Sequence, residues 1–423
     1  MNSQIRSLIE LEPVPPHVAP ERVLDFDMFH PVGGEGDLHA AWRRLQAPGV
    51  PALVWTPRNG GHWIATRARW IREMFADYEH FSSKCIFLPK ESGEQYRFIP
   101  TSMDPPEHGP YRELLMRAIG LGAIRRLEPM IRKIAQELID DLQPRGECNF
   151  TTEYAQQFPV RVFLAMVDLP LKDAAWLKKI GDQMTRPDGS MTLADATQAF
   201  FDYLAPFIEQ RAKNPGEDAI SVVVNGSVNG RKPNKQEALG LCGLLLLAGL
   251  DTVVNFLGFA MSFLAQSVSH RRELIETPSL IPVATEELFR RFPVVADGRL
   301  ITRDIVRDGA QLKAGEMILL PTLLHGLDEN ENPEPMNVDF RRNRISHAIF
   351  GGGPHRCAGQ HLARIEVHIT LQEWLKRIPD FRIAPGKPIV HLSGIVCAVE
   401  GLPLVWNATS ADAPIAAQSA RKA

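Results

Sequence analysis

Apolar residues recur at helical spacing along most of this chain. The periodicity predicts helices over roughly 38–46, 67–77, 108–121, 126–142, 154–167, 172–184, 193–212, 234–266, 268–276, 280–291 and 359–377. Short strand-like runs are fewer: 52–55, 62–66, 300–301, 317–320 and the region 394–406. Gly60-Gly61 reads as a hairpin turn between the first two runs. The segments 230–233, 308–309 and 328–335 read as loops, on their Gly, Pro, Asp and Asn content. The pattern predicts a mainly α fold with a small β portion.

One run stands out. Ala238 to Ala265 is long and apolar enough to cross a membrane. Asp251, Thr252 and Asn255 fall in its middle, where charge is costly in lipid. A helix apolar on all sides also suits the centre of a large core, and that is the expectation here.

The chain has 423 residues, 44% of them hydrophobic, with formal net charge −3. This suits a globular protein with a sizeable core and argues against nucleic-acid binding, for which no motif is present either. No linker, low-complexity block or internal repeat divides the sequence, so one domain over 1–423 is expected. Residues 1–20 are Pro-rich and are expected to wrap the surface, and 407–423 form an Ala/Ser-rich tail. The five cysteines are scattered and lack CxxC spacing. That argues against a disulfide framework or a zinc site and fits a reducing cytoplasm. The first residues lack the apolar core of a signal peptide.

Candidate chemistry concentrates in Phe350-Gly-Gly-Gly-Pro-His-Arg-Cys357-Ala-Gly359. Leu362, Ile365 and Ile369 follow at helical spacing, and Pro379 stops the run, so Cys357 stands at the mouth of a helix. The dipole and free amides there favour a thiolate. Glycines let backbone amides approach the sulfur. A metal-bound thiolate needs such surroundings; a buried structural cysteine in a Gly-rich turn is the other reading.

Three further patterns accompany it. Ala248-Gly-Leu-Asp251-Thr252 places a carboxylate beside a hydroxyl inside the apolar run, where burial of charge is expensive. A solvated kink would also account for it. Glu287-Leu-Phe-Arg290 pairs opposite charges at i and i+3 on one helix face, an arrangement most often found at surfaces. His108-x-x-x-Arg112 likewise shares a face.

Taken in order, the Asp251-Thr252 pair, Glu287-x-x-Arg290 and Phe350-x-x-Gly353-x-x-x-Cys357-x-Gly359 resemble the cytochrome P450 haem-thiolate monooxygenases. The resemblance implies haem b between the long central helix and the Cys357 helix. Cys357 would be the axial ligand of the haem iron, on a loop shaped by Phe350, Gly353 and Gly359. His108, Arg112, Arg299 and His355 would meet the haem propionates. Gly249 would let the central helix open, Thr252 would hydrogen-bond dioxygen, and Asp251 would relay protons from solvent. Glu287 and Arg290 would form a buried ion pair behind the thiolate loop.

The resemblance extends to the camphor-hydroxylating bacterial members of the family. Tyr96-Arg-Phe-Ile-Pro-Thr-Ser-Met-Asp-Pro-Pro-Glu107, Asp182 to Met191, Gly249 to Phe256, Val295-Ala-Asp-Gly-Arg299 and Ser393-Gly-Ile-Val396 carry it. By that likeness the substrate pocket contains Phe87, Tyr96, Thr101, Thr185, Leu244, Leu247, Val295, Asp297, Ile395 and Val396. An apolar pocket with one hydroxyl, that of Tyr96, would orient a rigid terpenoid ketone for hydroxylation at C5 on the exo face. A norisoprenoid such as ionone is an alternative substrate, and a haem-binding sensor an alternative role.

Electrons would come from a [2Fe-2S] ferredoxin fed by an NADH-dependent flavoprotein reductase. Its expected dock is a basic face of Arg112, Arg341, Arg342, Arg344, Arg356 and Arg364, since 341–364 contains no Asp or Glu. Four positions depart from the pattern. Leu247 replaces a smaller Val. Lys84 replaces a carboxylate near a cation site. Gly109 replaces a basic residue, and Arg356 an apolar one.

Overall fold

The computed structural model describes residues 10–94 and 98–408. Its helices are α1 (Leu38–Arg43), α2 (Ala68–Ala76), α3 (Lys90–Gly93), α4 (His108–Ile119), α5 (Leu121–Leu142), α6 (Phe158–Val167), α7 (Ala174–Thr185) and α8 (Leu193–Lys213). They continue with α9 (Ala219–Asn225), α10 (Lys235–Leu250), α11 (Thr252–Gln266), α12 (Val268–Glu276), α13 (Ile281–Arg291), α14 (Thr322–Gly326) and α15 (Gln360–Arg377).

The central run is two helices rather than the single one expected over 234–266. Asn234 opens α10 with a capping box: its side chain accepts from the Glu237 amide, and the Glu237 carboxylate accepts from the Asn234 amide. α10 ends at Leu250, Asp251 leaves helical geometry (φ −133°, ψ −46°), and α11 begins at Thr252. The Asp251 carbonyl accepts both the Asn255 backbone amide at 3.1 Å and the Asn255 side-chain amide at 2.9 Å, which ties the break to the first turn of α11. Residues 235–266 are apolar enough to cross a membrane, but 72% of their most apolar window is buried within the protein. α10 packs on α6 and α8, and α11 on α15, so the run is a core helix pair.

β1 (Leu53–Thr56) and β2 (His62–Ala65) form the expected hairpin, and Asn59, Gly60 and Gly61 turn it with positive φ. They belong to a sheet of order β1-β2-β8-β5-β3, with β3 Phe81–Ser82, β5 Ala296–Ile301 and β8 Met317–Pro321. β5 is longer than the expected 300–301 because its antiparallel partner β8 runs its full length, from Ala296 against Pro321 to Leu300 against Met317. Asp297 and Arg299 are two residues apart on β5 and so face the same side. β4 (Glu147–Asn149), β12 (Pro403–Trp406) and β9 (Phe381–Ile383) form a second sheet, in the order β4-β12-β9. β6 (Ile305–Arg307) with β7 (Ala310–Leu312), and β10 (Val390–Leu392) with β11 (Ala398–Gly401), make separate ribbons. The turn expected at 308–309 joins β6 to β7.

Other boundaries shift for identifiable reasons. α5 starts at Leu121, not 126, because the extended Gly120 caps it directly after α4, and the Ile124 amide donates to the Gly120 carbonyl at 3.1 Å. The run expected over 154–167 begins as a wide turn at Thr151–Ala155, and α6 starts only at Phe158, with Pro159 in its first turn.

Candidate active site

The loop before α15 is folded around Cys357. The Cys357 amide donates to the Phe350 carbonyl at 2.8 Å, and the Gly351 amide to Ala348 at 2.8 Å. Gly353 has φ +59°, and a Cβ there would fall 2.2 Å from the Phe75 carbonyl oxygen. Only glycine fits both demands. Gly353 thereby seats the loop on α2. Cys357 lies deep in the protein, yet its side chain is open because it faces an internal cavity.

Burial pushes the Cys357 pKa up, while the Gly359 amide and the Arg112 charge pull it back. The net direction is upward for the protein groups by themselves. A bound metal cation would supply the missing charge.

Behind the loop, Glu287 and Arg290 are fully buried and form a two-pronged pair at 2.7 and 2.7 Å. Arg290 also donates to the carbonyls of Gly326, Pro335 and Asn337 at 2.9, 2.6 and 2.8 Å. The pair therefore clips α13 to the loop that leads to Cys357. Arg342 joins it, with Nε 3.2 Å from both Glu287 oxygens, and is only 11% exposed. Arg342 is thus half-buried and tied to this pair rather than standing free on an open docking face. Arg364 stacks on the Phe350 ring, its guanidinium 4.5 Å from the centroid, and pairs with Glu286 at 2.7 and 2.9 Å.

Across the cavity, Asp251 is 2% exposed and held by a cationic cluster. Arg186 donates to its two oxygens at 2.7 and 2.8 Å, Lys178 at 3.1 Å, the Thr185 hydroxyl at 3.1 Å and the Asn255 amide at 2.7 Å. Asp182 bridges the same two cations on their outer side. Burial raises the Asp251 pKa, but the charges of Arg186 and Lys178 overcome it and hold the carboxyl well below its usual range. Thr252 is partly buried and lines the cavity beside it. Gly249 has a packing role in addition to the expected helix opening: a Cβ would meet the Phe163 ring at 2.3 Å, so the glycine lets α6 and α10 approach.

The cavity has a volume of about 340 Å³. It is lined by Phe87, Thr101, His108, Arg112, Thr185, Leu244, Leu247, Asp251, Thr252, Val295, Asp297, Arg299, Phe350, His355, Cys357, Gly359, Ile395 and Val396. Tyr96 lies outside the described residues. Thr185 lines the cavity while its hydroxyl donates to Asp251. Phe163, Met166 and Glu366 also line the cavity and were not foreseen. Phe163 and Met166 look in sequence like ordinary core residues. Glu366 is a carboxyl 2% exposed whose pKa burial pushes well upward.

The residues present fit a haem. Arg112, Arg299, His108 and His355 gather in one cavity, and the rings of His108 and His355 lie 4.4 Å apart. Nε2 of each of these histidines is buried without a protein partner. Such a donor set suits carboxylates brought by a cofactor. Burial pushes the pKa of both histidines down, His355 to about 3, and the neighbouring arginines add to this. Propionates would reverse the sign of that field. Among the described residues no group of three or more His, Cys, Asp or Glu could hold a metal ion. A single cysteine suits a metal whose other positions its own macrocycle fills.

A mainly helical fold with a single thiol facing a buried cavity, arginines and histidines gathered in it and an acid–alcohol pair on the central helix defines a haem-thiolate protein. Comparison gives the family. The family model for cytochrome P450 matches residues 280–388. The curated "Probable cytochrome P450 127A1" of Sinorhizobium fredii is 34% identical over 418 residues, 96% of this chain and 100% of that protein. The crystal structure of CYP101J2 is 44% identical with TM-score 0.87, covering 94% of this chain and 100% of that one. The crystal structure of cytochrome P450 CYP101C1 is 40% identical with TM-score 0.87, at the same coverage. The chain belongs to the cytochrome P450 family and is a monooxygenase of that family.

Proposed function

We propose that this enzyme hydroxylates camphor or a related monoterpenoid ketone, with 5-exo selectivity, using haem b, dioxygen and electrons from a [2Fe-2S] ferredoxin. One observation carries the reading: a single cavity has Cys357 on one wall and Asp251-Thr252 on another, with Phe87, Leu244, Leu247, Val295, Ile395 and Val396 between them. Haem, held by Cys357 as its thiolate ligand, would supply the dioxygen activation.

The protein's own residues do the rest. The Phe350 carbonyl holds the Cys357 amide and so fixes the thiolate loop. The Arg112, Arg299, His108 and His355 donors bind the cofactor carboxylates. The aliphatic wall excludes water and presents one C–H bond of a rigid substrate. The Tyr96 hydroxyl, by resemblance, holds the ketone. Thr252 holds a proton at the oxygen-binding side, and Asp251 passes protons inward when it exchanges Arg186 and Lys178 for solvent. The cysteine usage supports a cytoplasmic setting.

The test is a titration of the ferric, haem-loaded protein with camphor, followed by product analysis. A saturable low-spin to high-spin shift and a 5-exo alcohol support the reading. A shift with ionone and none with camphor would move the substrate class, with Leu247 the first residue to examine.

A further inference from the structure

The arginines expected to receive the electron donor are not equivalent once their counterions are counted. Arg341 pairs with Glu273 at 2.7 Å, Arg364 with Glu286 at 2.7 Å, and the half-buried Arg342 with Glu287 at 3.2 Å. Arg344 reaches Glu331 at 3.4 Å, and Glu331 also takes Arg72 at 3.2 Å. Arg112 faces the cavity and donates to the Arg356 carbonyl. The run that lacks carboxylates in sequence is thus neutralised by carboxylates from α12, α13 and the 328–335 loop. Arg356 differs. It is exposed, and among the described residues no carboxylate or carbonyl takes its side chain. At Gly109, where a Cβ would meet nothing within 4 Å, the surface is open and carries no charge.

We propose that Arg356 is the residue that selects the electron donor, by meeting a carboxylate of an acidic ferredoxin directly beside the haem ligand. The proposal rests on the ferredoxin reading above and names its contact. A donor carboxylate approaching Arg341 or Arg364 must displace an internal carboxylate and gains little net charge interaction. At Arg356 nothing is displaced, so the full attraction is available for steering and for holding the complex. Position matters as much as charge. Arg356 directly precedes Cys357 in the chain, and its amide is tied to the Gly353 carbonyl at 3.2 Å. A contact there places the donor at the shortest covalent approach to the sulfur. Arg344, mostly exposed and weakly paired, is the secondary contact.

The experiment measures binding of a purified acidic bacterial [2Fe-2S] ferredoxin to the haem-loaded protein by calorimetry, over a series of salt concentrations. Arg356→Ala is expected to raise Kd about tenfold at low salt and to flatten the dependence of Kd on salt, as loss of one unscreened interfacial charge should. Arg356→Lys should restore most of both, and Arg341→Ala should change Kd by less than about threefold, as for a charge already paired at a surface. Saturable, salt-sensitive binding in the wild type with no change in Arg356→Ala overturns the assignment of Arg356 and leaves the docking reading intact. A larger loss in Arg344→Ala than in Arg356→Ala also overturns it. Wild-type binding that is absent, or indifferent to salt, refutes the docking reading itself.

Discussion

The guanidinium of Arg186 grips both carboxylate oxygens of Asp251, at 2.7 and 2.8 Å, from just past the end of α7, 65 residues earlier in the chain. Together with Lys178 it holds the carboxylate in its charged form. If Asp251 delivers protons, this pair must open during turnover. Asp251→Asn should therefore lower kcat by about 100-fold, the low end for loss of a positioned acid–base group. The substrate-induced spin shift should be unchanged. Steady-state turnover with the ferredoxin system, alongside the spin titration, checks both; an unaltered kcat rules out the relay.

Thr252 lies next to Asp251 in the chain and opens α11 on the cavity wall. Thr252→Ala should leave NADH consumption running while alcohol product falls and hydrogen peroxide rises. Paired assays of NADH, product and peroxide decide this. Full coupling in the variant would assign Thr252 to packing.

The Glu287–Arg290 pair is wholly buried, and Arg342 and backbone carbonyls complete it. Breaking such a pair leaves a buried charge without a partner. Arg290→Ala should cost about 3–5 kcal/mol of stability, as removal of one partner from a buried pair does elsewhere. It should also lower haem retention, since the pair clips the loop that leads to Cys357. Chemical denaturation with haem absorbance as a second probe measures both. A surface-like loss below about 1 kcal/mol would contradict the bracing role.

These predictions divide by what a sequence can carry. Cys357, Asp251-Thr252 and Glu287-x-x-Arg290 are legible because their chemistry is local, with glycines beside a thiol, a charge inside an apolar run, and opposite charges one turn apart. The cavity wall was legible mainly through resemblance, and the structure brings those of its residues that are described, all but Tyr96, around one space. Distant partners were not legible. Arg186 and Lys178 reach Asp251 from 65 and 73 residues away, and Arg342 reaches Glu287 across 55. The same blindness made the 341–364 run look like an open basic face. Strands such as β3 and β9 are two or three residues long, too short to show a period. The break at Asp251 leaves no mark on the hydrophobic pattern, because both sides of it are buried.

His39 is one of several buried histidines, with His62 and His325, that shape the acid side of the stability curve. It is 1% exposed, its Nε2 donates to the Pro293 carbonyl at 2.8 Å, and its ring meets Phe259 and Phe292 edge-on. Burial, and then the Arg291 charge, push its pKa down to about 3. The unfolded chain binds a proton near pH 6.5 and the folded one does not. His39 therefore contributes stability that is complete above that value and is lost as pH falls towards about 3. His39→Gln should flatten the loss of stability across this window by about 1.4 kcal/mol per pH unit, the slope of one proton. Denaturant midpoints at pH 7, 5.5 and 4.5 would show it; parallel curves for variant and wild type would mean that His39 protonates in the folded state.

The central claim is that Cys357 binds the haem iron as a thiolate. The direct test is the absorption spectrum of the dithionite-reduced, CO-bound protein, compared with Cys357→His. The account predicts the red-shifted Soret band of a thiolate ligand in the wild type and its loss in the variant, with haem still bound. A red-shifted band that survives in Cys357→His, or one that is absent from freshly prepared wild-type protein, would contradict it.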